Sequence, residues 1–354
     1  MSTTIERYAT PEEIKQLEDA PKIAAQLNAC ADKKPFAFFA AFDGTDADKN
    51  NIALSGRPYQ TNIANLYDMA KGKETQNFRA GYYPGVGTGG ASGNLWNAGP
   101  APTQTLQAIA EKAYFDFAEA AYDYLNTQGA RVEDLSAVTV GFSRGNAAGV
   151  MFAKMLDQNG LQRSDHTVIA PPHSVLMTGI VMIDPVYTAV EGNLSLPGNV
   201  HGDVLLWGAL DETRYDFKRA DYGLDPRVKL MELPGNHSGL GGGYDQHGSA
   251  ASVLEGCVAY LRTSGVNLGP VPPQLQFNPS QPVPIYSEVY RTARNGDRLP
   301  DGAWPQAGSP GHRATLAVPA PSGVDPRYAQ GCGPQPQNPP ASPRPTTTQT
   351  KCSR

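Results

Sequence analysis

The sequence predicts an α/β fold in which a mainly parallel sheet carries helices on both faces. Apolar, strand-like runs alternate with helical patterns along most of the chain, an order typical of parallel sheets. One strand–turn–helix segment, Ala137 to Gly149, contains the pattern Gly-x-Ser-x-Gly. The 354 residues are enough for one large domain and an appendage. We therefore expect one domain over residues 1–268 and a proline-rich C-terminal extension over residues 269–354.

The charge and the apolar content of the chain exclude several classes of partner. The formal net charge is -5, so nothing favours a nucleic-acid partner. No apolar run approaches the ~20 residues that span a bilayer. The N-terminus has no charged start followed by an apolar core, which predicts that the chain lacks a conventional export signal. We accordingly expect it to be cytoplasmic in the producing cell.

The N-terminal part of the chain predicts a helix, a buried strand and a second helix. Thr10 to Glu13 combines a capping threonine, a proline at the first helical position and a glutamate three residues on. Pro35 to Phe42 is a continuous apolar run, typical of a buried parallel strand. It ends in the turn Asp43 to Asp46, at the end of a strand where open α/β sheets build their sites. Asn62 to Met69 has the pattern of a short helix.

A glycine-rich segment and a long helix come next. A phosphate-binding loop is the alternative interpretation of the glycines in Arg79 to Gly93. No Gly-Lys-Ser/Thr ends them, so we discount that alternative. Thr103 to Thr127 repeats apolar residues at helical spacing with charged residues between them. This pattern predicts the longest helix of the chain, packed on the core.

The Ala137 segment has the form of a nucleophile elbow. A β-branched, apolar run ends at Gly141, Ser143 follows, and Gly145 opens a run of small residues that continues as a helix. Glycines on both sides of the serine leave room for the strand and the helix to pass closely. The helix also turns its free N–H groups toward an anion. The context predicts Ser143 as a nucleophile.

The rest of the chain predicts three further strands and then a change of composition. The strand-like runs are Thr178 to Ile183, Val204 to Trp207 and Val228 to Leu233. More than half of the chain's 31 prolines lie beyond Leu268. Within the extension, Ile285 to Ala293 is periodic enough to predict a helix docked on the core. From about Val318 the composition predicts a stretch that is disordered or loosely draped over the domain.

A nucleophilic serine needs a histidine base that a carboxylate orients. In an α/β sheet of this kind the three come in the order serine, acid, histidine. His237 lies in a loop after the last predicted strand, where that order requires the base. Asp184 and Asp211 compete for the acid, since each follows a strand. Chain order alone does not separate them.

Five motifs in register resemble one family. They are Phe42-Asp43-Gly44-Thr45, Tyr83-Pro84-Gly85-Val86-Gly87-Thr88-Gly89, Gly141-Phe142-Ser143-Arg144-Gly145, Ala209-Leu210-Asp211-Glu212 and Pro234-Gly235-Asn236-His237-Ser238. The set resembles the α/β-hydrolase domain family of type VI secretion phospholipase effectors, over roughly Pro35 to Tyr260. The resemblance implies an α/β-hydrolase-like catalytic domain with a Ser-Asp-His triad.

The resemblance also favours Asp184 as the acid, because family members carry an aspartate at the end of the strand that follows the elbow helix. The chain departs from the family at three places. It has Pro185 where Thr is usual, Gly239-Leu240 where Asp-Val follows the histidine, and Asn146 where Ala is common. These departures concern loop geometry and substrate preference more than the triad.

The oxyanion hole follows from the same layout. One donor is expected to be the backbone N–H of Arg144, the residue after the nucleophile. The second is expected from the turn of Gly44 and Thr45, which follows an early strand. Asp43 is interpreted as a structural clamp on that turn rather than an acid–base group.

Together these features predict a serine ester hydrolase of the lipase or phospholipase kind that needs no metal or organic cofactor. The resemblance implies a phospholipid or other lipid ester as substrate and contact with a membrane surface. It also implies an immunity or secretion-apparatus protein as partner, and export without a cleaved signal peptide. Two alternatives stay open: a soluble carboxylesterase of small esters, and a hydrolase-fold interaction protein whose serine is idle.

Overall fold

The fold is known from a computed structural model, which describes residues 2–28, 32–88, 102–244, 247–290, 313–326 and 329. Its helices are α1 (Pro11–Ala24), α2 (Asn62–Lys71), α3 (Pro102–Leu125), α4 (Gly145–Asn159), α5 (His237–Gly241) and α6 (Ser249–Thr263). Its first six strands are β1 (Ser2–Tyr8), β2 (Phe36–Phe42), β3 (Phe78–Tyr83), β4 (Leu135–Phe142), β5 (Leu161–Gln162) and β6 (Val168–Ala170). The others are β7 (Leu176–Ile183), β8 (Val204–Ala209), β9 (Arg219–Asp221), β10 (Val228–Leu233), β11 (Pro284–Tyr290) and β12 (Thr315–Ala317).

The centre of the fold is a six-stranded sheet with the order β10-β8-β7-β4-β2-β3. Every neighbouring pair in this sheet is parallel. β2 and β4 are buried along their whole length, as a strand covered on both faces must be. The predicted α/β-hydrolase-like fold with a mainly parallel sheet is therefore confirmed.

Helices cover both faces of the sheet and make two apolar cores. Phe38, which points to one face, packs on α3 with its ring centroid 5.1 Å from that of Phe117. Its neighbour Phe39 belongs to the opposite core, with Leu17 of α1 and Leu261 of α6. Successive side chains of a strand point to opposite faces, so the continuous apolar run of β2 serves both cores.

The N-terminal strand pairs with a strand of the C-terminal extension in a second sheet, where one prediction is wrong. β1 pairs antiparallel with β11, from Ser2 opposite Tyr290 to Tyr8 opposite Pro284. The sequence predicted a helix over Ile285 to Ala293, but the segment is a strand as far as Tyr290, and residues 291–293 lie outside the described part. The partner strand lies more than 270 residues earlier in the chain, so a local pattern does not reveal it.

Part of the C-terminal extension packs against the domain. β12 pairs in parallel with β9, from Thr315 opposite Arg219 to Ala317 opposite Asp221. Val318 follows with its N–H donating to the carbonyl of Asp221 at 2.8 Å, and it is buried. Val318, the approximate start of the stretch predicted to be disordered or loosely draped, is thus docked on the domain. Residues 330–354 lie outside the described part of the chain. The domain boundary at residue 268 stays a prediction.

Candidate active site

Ser143 lies at the turn between β4 and α4 in a strained conformation. Its φ is +55°, a region that non-glycine residues enter at an energetic cost. Its N–H donates to the carbonyl of Ile183, at the end of the adjacent strand, at 3.1 Å. This is the strand–turn–helix geometry in which a nucleophile elbow lifts its hydroxyl above the sheet.

The two glycines of the elbow are required by close approaches of the backbone. A Cβ on Gly145 would lie 2.4 Å from the carbonyl oxygen of Phe42, and a Cβ on Gly141 would lie 2.6 Å from the side chain of Asn146. Asn146 itself donates to the carbonyls of Ser143 at 3.0 Å and Ile183 at 3.1 Å. The chain therefore ties its elbow to the neighbouring strand through the side chain of Asn146.

Asp184 contacts the ring of His237. Its Oδ2 lies 2.5 Å from His237 Nδ1, and its Oδ1 accepts from the N–H of Ala209 at 3.0 Å. Asp184 is fully buried and His237 is 2% exposed. Because the carboxylate is an acceptor, it holds the proton on Nδ1 and leaves the lone pair on Nε2, the atom that a general base uses.

The electrostatics of this pair favour a charged acid and a neutral base. Burial alone would raise the pKa of Asp184, but the Arg313 guanidinium and the His237 contact outweigh it and lower that pKa well below its usual range. Burial lowers the pKa of His237, and the bond to Asp184 opposes it only in part. At pH 7 the imidazole is consequently neutral and able to accept a proton.

Asp211, the second candidate acid, braces the histidine loop instead of the histidine ring. Its N–H donates to the carbonyl of Gly235 at 3.0 Å, and its Oδ2 accepts from the N–H of Gly235 at 2.7 Å. Arg7 lies 3.5 Å from the same oxygen. Burial raises the pKa of Asp211. The structure thus places Asp184, and not Asp211, against the ring of His237.

Glu212 and two aromatic rings complete the surroundings of His237. The Oε2 of Glu212 accepts from the backbone N–H of His237 at 3.2 Å and from Arg214 at 2.6 Å. The imidazole stacks on Phe142 at 4.6 Å between ring centroids and meets the edge of Phe217 at 5.0 Å. The carboxylate and the rings together fix where the imidazole lies. The sequence motifs contain Phe142 and Glu212 without assigning them this role, and they do not contain Phe217.

The predicted oxyanion turn is clamped by Asp43. Its Oδ1 accepts from the N–H of Gly44 at 2.8 Å, and its Oδ2 accepts from the hydroxyls of Thr61 at 2.8 Å and Tyr82 at 2.7 Å. Burial raises the pKa of Asp43 to about 6 in spite of these three donors. The N–H of Gly44, one of the two predicted donors in this turn, is therefore engaged by the clamp.

Arg144 joins the elbow to the same turn. Its Nη1 donates to the hydroxyl of Thr45 at 3.2 Å, and its Nε donates to the carbonyl of Thr188 at 3.1 Å. Its own backbone N–H stands at the start of α4, where the first amides have no partner inside the helix. The side chain of Arg144 thus links the elbow to the turn that contains the other expected oxyanion donor.

Other features lie away from these residues. A cavity of about 640 Å³ opens between α3, α4 and the β5–β6 hairpin and is lined by none of the predicted site residues. Within the described part of the chain, no cluster of His, Cys, Asp and Glu has the arrangement of a metal site. No helix of that part is long and apolar enough to cross a membrane.

Comparison with known proteins supports the sequence resemblance. Residues 38–173, less than half of the chain, match the family model described as "T6SS, Phospholipase effector Tle1-like, catalytic domain". This segment contains Ser143 and the oxyanion turn, whereas Asp184 and His237 lie beyond it. No curated protein sequence matches the chain.

Three solved structures are similar at low identity. An uncharacterized protein from Pseudomonas aeruginosa has 16% identity and a TM-score of 0.45, with 76% of this chain and 50% of that chain covered. The Tle1 effector bound to the VgrG spike of the type VI secretion system has 19% identity and a TM-score of 0.41, with 61% of this chain and 52% of that chain covered. The esterase PE8 has 14% identity and a TM-score of 0.33, with 66% of this chain and 94% of that chain covered. The chain thus spans about half the length of the first two. The resemblance predicted from the motifs is confirmed over residues 38–173, which match the catalytic domain of Tle1-like phospholipase effectors.

Proposed function

We propose that this protein is a serine ester hydrolase of the lipase or phospholipase kind, with Ser143, His237 and Asp184 as its triad. The observation that carries the proposal is the 2.5 Å contact between Asp184 Oδ2 and His237 Nδ1. The same structure contains the strained elbow at Ser143. The family match adds that the segment around Ser143 is similar to that of phospholipase effectors. No metal or cofactor enters the reaction that we propose.

The reaction proceeds by acyl transfer to the serine. The Oγ of Ser143 attacks the ester carbonyl while Nε2 of His237 takes the hydroxyl proton. The carbonyl oxygen becomes an oxyanion, which the backbone N–H groups of Arg144 and Thr45 receive. The tetrahedral intermediate collapses, the ester C–O bond breaks, and the imidazolium gives its proton to the departing alcohol. Water then repeats the same steps on the acyl-enzyme and releases the fatty acid and free Ser143.

The proposed substrate is a membrane phospholipid that the protein meets outside the producing cell. The support is the matching family model, which describes phospholipase effectors of type VI secretion. Within that proposal, the protein is exported by the secretion apparatus, contacts that apparatus and a membrane surface, and has an immunity protein as a further partner. A soluble carboxylesterase of small esters is the competing function.

Two substrates in one assay separate these functions. Fatty-acid release from phosphatidylethanolamine and phosphatidylglycerol vesicles is compared with hydrolysis of a short-chain, water-soluble ester. A lipase acts on the vesicles, and Ser143→Ala abolishes both activities. The matched control is Ser280→Ala, which removes an exposed serine hydroxyl outside the site. Brisk turnover of the short ester with no vesicle cleavage would assign the protein to the esterases.

A further inference from the structure

The C-terminal extension reaches the candidate site through one short strand. β12 pairs with β9, and the N–H of Arg219 donates to the carbonyl of Ala314 at 3.1 Å. On its other side, β9 bonds to the chain directly after the candidate acid, since the N–H of Ala220 donates to the carbonyl of Pro185 at 2.8 Å. Residues 313–318 are thus one strand away from Asp184.

Arg313 extends from this segment into the site and is engaged by three acceptors. Its Nη2 donates to Asp184 Oδ2 at 2.9 Å and to the carbonyl of Phe217 at 2.6 Å. Its Nη1 donates to the carbonyl of Ala209 at 2.9 Å. Only 2% of its side chain is exposed. A buried guanidinium with a planar fork of donors holds a carboxylate in one orientation, which a lysine ammonium does not do equally well.

We propose that Arg313 is a positioning residue of the catalytic site, which fixes the Asp184 carboxylate with its guanidinium and limits the negative charge that His237 experiences. The inference rests on the proposed function of the triad. It assigns to the extension, which lies outside the matched segment, a part in the chemistry. Arg313 is assigned this part because it shares an oxygen with the base: Asp184 Oδ2 accepts from both His237 Nδ1 and Arg313 Nη2.

The charged groups around the pair determine the sign of the effect. Asp184 faces Arg313 and His237, and His237 also faces Glu212 and Arg214. Removing the positive charge of Arg313 leaves the Asp184 carboxylate free to stabilise an imidazolium, so the pKa of His237 should rise. A guanidinium that only anchors the extension would change the melting temperature and leave the proton affinity of His237 unchanged.

The test measures proton affinity in two ways on the full-length chain. The first is an NMR titration of the His237 ring, which needs no turnover. The second is the rate at which a fluorophosphonate labels Ser143 between pH 5 and pH 9. Arg313→Gln should move both midpoints upward by about one pH unit and slow labelling more at pH 6 than at pH 8.5. Arg163→Gln, which removes a partly exposed guanidinium paired with Glu119 far from the site, should match the wild type.

Arg313→Lys keeps the proposal testable if the glutamine variant does not fold. Lysine retains the positive charge but lacks the planar set of guanidinium donors. The labelling rate and the midpoints of Arg313→Lys should therefore lie between those of the wild type and those expected for Arg313→Gln. Wild-type midpoints in Arg313→Gln, or wild-type rate and midpoints in Arg313→Lys, would overturn the inference. A chain whose labelling is unaffected by Ser143→Ala refutes the proposed function instead, and the NMR titration then still decides whether Arg313 acts on His237.

Discussion

Exchanging each candidate acid for its amide distinguishes the two aspartates, and the structure gives the size of each effect. In Asp184→Asn, one amide atom faces the N–H of Ala209, and the other faces His237 Nδ1 and Arg313. Only the amide oxygen can accept a hydrogen bond. It can face either the N–H of Ala209 or the pair of His237 and Arg313, and the N–H₂ group then faces the remaining partners. With the oxygen at Ala209, the amide donates to Nδ1, and the proton moves to Nε2.

An imidazole in that tautomer does not accept the Ser143 proton. Loss of the correct tautomer in a serine triad lowers kcat by about 10⁴, which corresponds to about 5.4 kcal/mol of transition-state stabilisation. The same change leaves the buried Arg313 without its carboxylate, and breaking a buried pair costs about 3–5 kcal/mol of folding stability. We therefore expect Asp184→Asn to be both nearly inactive and less stable.

Asp211→Asn has a different expected outcome. Its amide oxygen still accepts from the N–H of Gly235, and the neighbouring Arg7 is 40% exposed and partly paired with Glu13. The expected loss is about 1 kcal/mol of stability, with kcat within a few-fold of the wild type.

The assay is kcat for a short-chain ester, normalised to the folded fraction from a melting curve of each variant. Normalisation matters because Asp184→Asn is expected to lower both stability and turnover. If Asp211→Asn loses about 10⁴ in kcat while Asp184→Asn stays within tenfold of the wild type, the acid has been assigned to the wrong residue.

Three further predictions concern the base, the oxyanion turn and the elbow. Because burial lowers the pKa of His237, the acidic limb of kcat/KM should have its midpoint below the ordinary histidine value of 6.5; a rate that already falls between pH 8 and pH 7 would contradict this. Asp43→Asn can place a donor against the N–H of Gly44, which should displace the turn and lower kcat by about 10², with little change in KM, in steady-state kinetics. Asn146→Ala removes two bonds from the elbow and should lower the free energy of unfolding by about 1–3 kcal/mol in a urea titration, while an unchanged transition would show that these bonds do not stabilise the fold.

The elbow and the parallel sheet could be predicted from the sequence because their signals are local. The strand, turn and helix around Ser143 are contiguous in the chain. Each apolar run that predicted a central strand lies within one, apart from Pro35 directly before β2, although β3 was not predicted. Spacing and residue type determine such elements before any tertiary contact forms.

The remaining parts of the site depend on contacts between distant segments. Asp184 and Asp211 both follow strands, and the neighbour of β10 in the sheet is β8, the strand before Asp211. Asp184 nevertheless contacts His237, because the loop after β10 carries the histidine across to the end of β7. Arg313 lies between the predicted helix and the stretch from about Val318, in a segment for which the sequence made no structural prediction. It reaches Asp184 because β12 pairs with β9, about 95 residues earlier. No local pattern contains the register of such a pairing.

The central claim, that Ser143 is a nucleophile activated by His237, is tested most directly by locating a fluorophosphonate adduct. Intact mass followed by peptide mapping should show one adduct, on Ser143, in the wild type. Labelling should disappear in Ser143→Ala and slow by several orders of magnitude in His237→Ala, while Ser280→Ala labels like the wild type. A folded wild type that forms no adduct, or an adduct on Ser143 at an equal rate without His237, would contradict the claim.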